Sequence, residues 1–476
     1  MLRNNKIVET EFFKSALASD SEVATNSQIL EWIAAKNASA NTRLEQIPLD
    51  QMRLWRIEPA SGSVVHDSGK FFSIEGIHVD TNWTSLTSWD QPIINQPEIG
   101  YLGILAQKRN GILHFLMQGK IEPGNLNIVQ ISPTLQATKS NYTQVHKGRK
   151  PLFLEYFNGE KKVAVLLDQL QSEQGARFLR KRNRNIIVEV PEDEALEVPD
   201  NFIWTTLGQL KRLILQDNLV NMDTRTVISG IPFGSYGSDT LAFFSALGKT
   251  QHINESLLNS ALNNEVYLND FNHITSWMTG LKARYELNVT RKALNAMSDW
   301  SFNGVSIDHR NGNYFSVIGV KVEIGNREVV SWDQPMIKPS QEGIIAFIVK
   351  PIKGVYHFLV QAKLEAGNFD VIELAPTVQC LTGNYRTGFN EYSVPFINDV
   401  LNAKPENIWY SAMQSEEGGR FFKEQNRNMI IEVGADFSTD VPDKYCWMTL
   451  NQLSTFIMFN NYLNIAARSL VSAITF

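Results

Sequence analysis

Polar and apolar side chains alternate along a predicted strand in the first half of the chain. Successive side chains of a strand point to opposite faces, so residues two apart share a face. One face is apolar and should pack on the core, whereas the other carries the residues that could do chemistry, His114, Gln118, Lys120 and Glu122. A carboxylate beside an ammonium group can abstract a proton and stabilise the negative charge that develops. This face therefore predicts acid–base chemistry in an enclosed cavity.

The same row of polar residues occurs again 243 positions later. HFLMQGKIEPGN begins at His114 and HFLVQAKLEAGN begins at His357, and the same offset pairs two copies of SWDQP, at Ser88 and at Ser331. It also pairs QSEQGARF at Gln171 with QSEEGGRF at Gln414. A solvated edge strand, the alternative for either copy, has no reason to keep the same polar residues twice. The duplication therefore favours a ligand-lined face.

The duplication divides the chain into two units. A chain of 476 residues exceeds the size at which one core usually stops growing. The Gly-, Pro- and Ser-rich segment that begins at Ile231 predicts the boundary, giving domains of residues 1–232 and 233–476. In each unit β-branched segments such as IGYLGILAQK predict strands, while FIWTTLGQLKRLILQDN and KYCWMTLNQLSTFIMFNN predict helices. The fold class is α+β, with a mixed or antiparallel sheet flanked by helices.

Two further segments could bind a ligand. In SWDQP, Trp89 and Gln91 precede a bend fixed by proline and could stack on a ring and read its edge; a tryptophan that fills the core is the alternative. A basic stretch follows Asn141 and Tyr142, and it could hold phosphate together with two more arginines unless it is a solvated charge run. The basic residues are His146, Lys147, Arg149, Lys150, Arg177 and Arg184.

Composition and missing motifs narrow the class of protein. A net charge of −6 gives no reason to expect nucleic acid as a partner. No apolar run reaches the ~18 residues of a membrane span, and the N-terminus mixes acidic residues into the place of a signal peptide. We therefore expect a cytoplasmic protein without a membrane partner. The absence of G-x-G-x-x-G, a P-loop, H-E-x-x-H and G-x-S-x-G gives no support for a cofactor or a bound metal.

The chain resembles the NDP-hexose 2,3-dehydratases of deoxysugar biosynthesis. The resemblance covers nearly the whole chain and rests on SWDQP, HFLMQGKIEPGN, SPTLQATKSNYT, LEYF, QSEEGGRF, NRN, MTLNQL and NYLNIAARSL. It implies a homodimer in which each unit has a Nudix-hydrolase-like fold. It also implies loss of water across C2 and C3 of an NDP-4-keto-6-deoxyhexose, usually the dTDP form, with one site per unit and one of them active.

The implied chemistry assigns roles to the polar row. Glu122 is the candidate base for the C3 proton, Lys120 the candidate stabiliser of the enolate, and Tyr142 or His114 the acid for the departing hydroxyl. Their strand positions would place Lys120 and Glu122 about 7 Å apart, on opposite sides of the sugar ring. The product would be a labile 3,4-diketo sugar, which implies a 3-ketoreductase acting next.

Both units contain a full set of candidate binding residues. The substrate-binding candidates of the first unit are Trp89, Gln91, Gln118, Asn141, Lys147, Arg149, Glu173, Arg177 and Arg184. Their equivalents and those of the catalytic candidates in the second unit are Trp332, His357, Gln361, Lys363, Glu365, Tyr385, Glu416, Arg420 and Arg427. The first unit is favoured because the second lacks the basic stretch and replaces EPGN by EAGN, although QSEEGG belongs to the second. An enolising epimerase or isomerase, or a non-catalytic nucleotide-sugar binding protein, remains the alternative.

Overall fold

The structure is a computed structural model that describes residues 5–142, 150–232, 254–262, 265–325, 331–381 and 394–475. The predicted domain boundary falls almost entirely outside these residues. The elements of the first half are α1 (Asn5–Leu17), α2 (Asn26–Ser39), β1 (Thr42–Ile47), β2 (Trp55–Ile57), β3 (Val64–His66), β4 (Ser73–Thr81), β5 (Ser88–Asn95), β6 (Gly100–Arg109), β7 (Ile112–Ile121), β8 (Val129–Ser132), β9 (Leu135–Ala137), α3 (Lys139–Tyr142), β10 (Ala164–Ser172), β11 (Arg182–Val190), β12 (Phe202–Thr205), α4 (Leu207–Ile214) and α5 (Met222–Ser229).

The second half repeats this order from its second helix onward. Its elements are α6 (Glu255–Leu262), α7 (Phe271–Arg284), β13 (Leu287–Lys292), β14 (Trp300–Phe302), β15 (Ser306–His309), β16 (Phe315–Ile324), β17 (Ser331–Pro339), β18 (Gly343–Ile352), β19 (Val355–Lys363), β20 (Glu373–Pro376), β21 (Val378–Cys380), α8 (Ile397–Leu401), β22 (Ile408–Ser415), β23 (Gln425–Glu432), β24 (Tyr445–Thr449), α9 (Leu450–Met458) and α10 (Ile465–Ser472). None of the helices in the described part of the chain is long and apolar enough to span a membrane.

Each half contains a large mixed sheet. In the first half β6 runs antiparallel to β7 and parallel to β11, with β10, β12, β8 and β9 completing seven described strands. In the second half β18, β19 and β23 pair in the same way. The α+β class, the mixed sheets and the similarity of the two halves are therefore confirmed.

The smaller antiparallel sheets exchange strands between the halves. β1 of the first half pairs with β16 of the second, from Thr42 with Ile324 to Ile47 with Gly319. β13 of the second half pairs with β4 of the first, from Leu287 with Thr81 onward. Each small sheet is thus completed by a strand from the other half, which brings residues far apart in sequence into contact.

One apolar core also joins the halves. Its buried side chains include Phe12 and Phe115 from the first half and Phe358 and Leu470 from the second. α5 packs against α10, so the helical ends of both halves meet at the centre of the molecule. The two halves therefore share apolar contacts as well as sheets.

Two local predictions were wrong. SWDQP does not form a bend but lies in β5 and again in β17; Pro92 is tolerated because β5 lies at the edge of its sheet beside β4, and the further bridge that β5 makes is at Ile94, not at Pro92. The predicted helices at residues 202–218 and 444–461 both begin as strands, since the aromatic and β-branched Phe202–Thr205 pairs with β7 and Tyr445–Thr449 pairs with β19. α4 then starts after Thr206, whose side chain forms a capping box with Gln209.

Thr206→Ala should lower the free energy of unfolding by about 2 kcal/mol, because it removes an N-cap and a second buried hydrogen bond. The Thr206 hydroxyl accepts from the Gln209 N–H and donates to the Ala18 carbonyl. Thr25→Ala removes the more exposed capping box of α2 and should cost about 1 kcal/mol. Urea unfolding followed by circular dichroism compares the two, and an equal or smaller loss for Thr206→Ala would contradict this role.

Candidate active site

The end of β7 places the predicted catalytic pair in an enclosed position. The Lys120 side chain is 18% exposed and Glu122 only 6%, and the Lys120 Nζ lies 3.6 Å from the Glu122 Oε1. Gln136 also donates to the Glu122 Oε1, at 2.8 Å. The predicted separation of about 7 Å does not hold for the reacting atoms, because the long lysine side chain leans toward the opposite charge. The two groups form an ion pair rather than facing each other across a ring.

The other end of the same strand face is core. Leu116 shares this face and packs among buried residues that include Leu105 and Trp204. His114 is 2% exposed, with its Nε2 2.7 Å from the Ser21 Oγ and its Nδ1 2.9 Å from the Ile112 carbonyl. Burial lowers the pKa of His114.

His114 also lies far from the catalytic pair. Six residues of strand separate it from Lys120, a distance of roughly 20 Å. His357 in the second half is equally buried and accepts from the Leu268 N–H. The geometry therefore does not bring either histidine to a sugar bound at Lys120 or Lys363.

The turn that follows β7 rests on a loop of the second half. Gly124 N–H donates to the Gly418 carbonyl at 2.7 Å, and Lys423 N–H donates to the Gly124 carbonyl at 2.9 Å. The mirror contacts join Gly367 to the first half, with its N–H donating to the Gly175 carbonyl at 2.7 Å. The polar residues at the end of β7 thus face the QSEEGG loop that begins at Gln414, and those at the end of β19 face the QSEQGA loop that begins at Gln171.

These contacts define two composite sites. We call site one the group formed by Lys120, Glu122, Gln136 and the loop Glu416–Arg420. Site two is the group formed by Lys363, Glu365, Gln379 and the loop Glu173–Arg177. In site two Gln379 donates to the Glu365 Oε1 at 3.1 Å, as Gln136 does to Glu122 in site one.

Two buried arginines hold the loops in place. Arg225 of α5 donates to the carbonyl of Ser415, immediately before the site-one loop, and to the Ser469 hydroxyl. Arg468 of α10 donates to the carbonyl of Ser172 and, at 2.8 Å, to the Thr226 Oγ1. Each arginine therefore reaches from one half to the loop of the other, and burial lowers the pKa of Arg468 to about 10.

The strand exchange corrects the grouping of the predicted binding residues. Gln91 Nε2 donates to the Ala176 carbonyl at 3.1 Å and its Oε1 accepts from the Trp89 Nε1 at 2.9 Å, so both accompany the loop of site two. Arg177 belongs to the same loop and lies over the ring of Phe315, 4.3 Å from its centroid. These residues were predicted to join Lys120, but they lie on the side of Glu365.

The equivalent residues of the second half accompany site one. Gln334 Nε2 donates to the Gly419 carbonyl at 2.8 Å, and its Oε1 accepts from the Trp332 Nε1. Arg420 donates to the Gln96 Oε1 at 3.1 and 3.2 Å. Site one is therefore framed by the second SWDQP segment, and site two by the first.

Tyr142 and Arg184 form a separate aromatic group in the first half. The Tyr142 ring lies 5.3 Å from the Tyr101 ring, and Arg184 lies 5.7 Å above Tyr101 while donating to both carboxylate oxygens of Asp168. Burial, with smaller effects of Tyr101 and Glu98, raises the pKa of Tyr142.

The remaining predicted residues lie in different places. Gln361 donates to the Pro376 carbonyl, Arg427 is exposed beside Ser411, and Gln118 is half-buried on β7. Glu173 is buried at the start of the site-two loop, where it accepts from Asn183, and Glu416 is buried at the start of the site-one loop, where it accepts from Asn426. Those that lie outside the described residues, or whose side chains do, are Asn141, His146, Lys147, Arg149 and Tyr385.

Sequence reasoning missed two acidic residues at site one. Burial raises the pKa of Glu417 to about 7; Glu173 and Glu122 add to this rise, while Arg420 and Lys181 oppose it. Burial and repulsion by Glu417, Glu173 and Glu122 hold the pKa of Asp223 well above its ordinary value. Glu417 of the second half corresponds to Gln174 of the first, and Asp223 of the first half corresponds to Ala466 of the second, so the mismatches between the repeats were the available signal. Among the described residues, His, Cys, Asp and Glu form no group of three that could hold a metal ion.

Fold and site together define the class: a duplicated α+β protein with a partly buried lysine–glutamate pair, beside an acidic loop supplied by its other half. A sequence model of the NDP-hexose 2,3-dehydratase family matches residues 26–231 and 271–474. The chain belongs to the NDP-hexose 2,3-dehydratase family, which confirms the resemblance seen in its motifs.

Three relatives carry one enzyme name, dTDP-4-dehydro-6-deoxy-alpha-D-glucopyranose 2,3-dehydratase. The chain is 44% identical to that of Saccharopolyspora spinosa over 467 residues, covering 97% of this chain and 94% of the relative. It is 41% identical over 449 residues to that of Streptomyces violaceoruber, covering 93% and 95%. It is 39% identical over 465 residues to that of Amycolatopsis orientalis, covering 97% and 92%.

Proposed function

We propose that the protein removes water across C2 and C3 of dTDP-4-keto-6-deoxyglucose at site one, in deoxysugar biosynthesis. The observation that carries the proposal is the partly buried Lys120–Glu122 pair, beside the loop of the other half, in a member of this dehydratase family. The relatives' names supply the sugar nucleotide.

The chemistry follows from the ketone at C4. This ketone acidifies the proton on C3, and the C2 hydroxyl lies β to it. Glu122 takes the C3 proton, and Lys120 stabilises the negative charge that moves onto the C4 oxygen. The C2–O bond then breaks and a C2–C3 double bond forms, giving an enol that tautomerises to a 3,4-diketo sugar.

The proposal has further parts. Each repeat is taken as a Nudix-hydrolase-like unit, with domains at residues 1–232 and 233–476. The protein works as a homodimer in the cytoplasm without a cofactor, and a 3-ketoreductase consumes its labile product. Support comes from the duplication, the mixed sheets and the reactivity expected of a vicinal diketone.

Trapping the product tests the function. The protein is incubated in deuterated water with dTDP-4-keto-6-deoxyglucose, a 3-ketoreductase and its hydride donor, and the mass of the product sugar is measured by mass spectrometry. A product that has lost one water and gained the two hydrogens of the reduction supports the dehydratase. Unchanged composition with deuterium at C3 would indicate an epimerase or isomerase, and binding of the sugar nucleotide without exchange would indicate a binding protein.

A further inference from the structure

Two positions distinguish the loop at site one from the loop at site two. Glu417 corresponds to Gln174, and Gly419 corresponds to Ala176. A methyl group added to Gly419 would lie 3.2 Å from the Glu417 Oε1 and 3.7 Å from the Glu122 Oε1. The carboxyl groups of Glu417 and Glu122 therefore border the same small space, which Gly419 leaves open because it has no side chain.

We propose that Glu417, supplied by the second half, is the catalytic acid that protonates the departing C2 hydroxyl at site one. This inference rests on the proposed dehydration, in which Glu122 and Lys120 of the first half remove the C3 proton and stabilise the enolate. The working site is then assembled from both repeats. The first repeat supplies Lys120 and Glu122, and the second repeat supplies the loop that carries Glu417.

The surroundings of the two carboxyl groups suit different roles. Glu122 is paired with Lys120 and accepts from Gln136, which suits a carboxylate that takes up a proton. Glu417 is half-buried beside other acids, and with its pKa raised to about 7 a large share of its carboxyl groups carries a proton near neutral pH. Two carboxyl groups in different environments can serve as base and acid in one reaction.

The proton balance closes with these groups alone. The Glu417 proton moves to the C2 oxygen as the C2–O bond breaks, and the electrons of the C3–H bond end in the new C2–C3 double bond. Water leaves, Glu122 holds the C3 proton, and Glu417 is left as a carboxylate that the nearby Arg420 stabilises. Exchange with solvent returns both groups to their starting states.

The loop is held firmly enough to position this acid. Arg225 fixes the Ser415 carbonyl on one side of Glu417, and Gln334 fixes the Gly419 carbonyl on the other. Gly124 N–H holds the Gly418 carbonyl between them. A donor therefore binds the loop backbone on each side of Glu417, which limits the positions its carboxyl group can take.

A substrate analogue separates the acid from the base. With fluorine in place of the C2 hydroxyl, fluoride leaves without protonation. Glu417→Gln should lose water from the natural substrate about 10²- to 10⁴-fold more slowly, yet release fluoride from the analogue within about tenfold of the unaltered protein. It should also keep deuterium exchange at C3. Glu122→Gln should lose all three activities, since each needs the C3 proton removed.

Each outcome decides the assignment. The inference is wrong if Glu417→Gln eliminates water at the rate of the unaltered protein. It is also wrong if this variant loses water elimination, fluoride release and deuterium exchange at C3 together. If Asp223→Asn rather than Glu417→Gln loses water elimination alone, the acid is Asp223 and the inference is also wrong. An unaltered protein that eliminates neither water nor fluoride contradicts the proposed function itself.

A second pair of variants tests the shared space without removing an acid. Gly419→Ala places a methyl group between the two carboxyl groups and should lower turnover at least about tenfold. The loop of the first half already carries alanine at this position, Ala176, so the substitution is compatible with the fold. Ala176→Gly makes the reverse change in the other loop and should leave turnover unchanged. Equal turnover in the two variants would contradict the arrangement.

Discussion

Lys120→Met is expected to abolish turnover while leaving the affinity for dTDP nearly unchanged. The substitution keeps the length of the side chain but removes the charge that stabilises the enolate, and losing one such group costs about 10²- to 10³-fold in kcat. Glu122→Gln should be equally inactive, because an amide cannot take the C3 proton. Coupled reduction of the product measures turnover, and calorimetry with dTDP measures binding.

Lys363→Met is the matched control for Lys120→Met. It makes the same change at the equivalent position of site two, where the Lys363 Nζ donates to the Gln379 carbonyl. Turnover should stay within a few-fold of the unaltered protein, since site two has Gln174 in place of Glu417. Normal turnover in Lys120→Met and Glu122→Gln, with loss in Lys363→Met, would move the reaction to site two.

Gly124→Ala should also abolish turnover, although glycine 124 carries no functional group. A methyl group there would lie 1.7 Å from the Phe421 carbonyl oxygen and 2.8 Å from that of Gly418. The turn and the loop must therefore move apart, which separates Glu122 from Glu417. Misplacement of reacting groups by about 1 Å can cost on the order of 100-fold in rate, and the strain should lower stability by about 1–3 kcal/mol.

Gly367→Ala provides the control for this steric argument. Its methyl group would lie 1.7 Å from the Phe178 carbonyl oxygen, so the same clash arises at site two. Both variants should unfold at similarly lowered urea concentrations, but only Gly124→Ala should lose its turnover. If the two variants lose turnover equally, the contact serves folding; if Gly124→Ala stays active, the composite site is wrong.

The family resemblance and the local structure could be predicted from the sequence, because both can be recognised in short stretches of consecutive residues. The dipeptide Asn110-Gly111 is typical of a two-residue hairpin turn, and both residues have the positive φ angles, 50° and 75°, that such a turn requires. The strands around this turn and the capping of α4 follow from the same kind of short-range pattern. Where local pattern misled, as at Phe202–Thr205, pairing with a neighbouring strand outweighed helical spacing.

The sequence by itself determined that the chain is duplicated, which side chains follow the polar row, and which family it belongs to. It could not show that Glu122 meets the loop of the other half, because a repeat carries the same apolar pattern in both copies. That pattern fixes which faces are buried but not which copy covers them. The tertiary structure decided this through the pairing of β1 with β16 and of β13 with β4, which joins residues more than 200 positions apart.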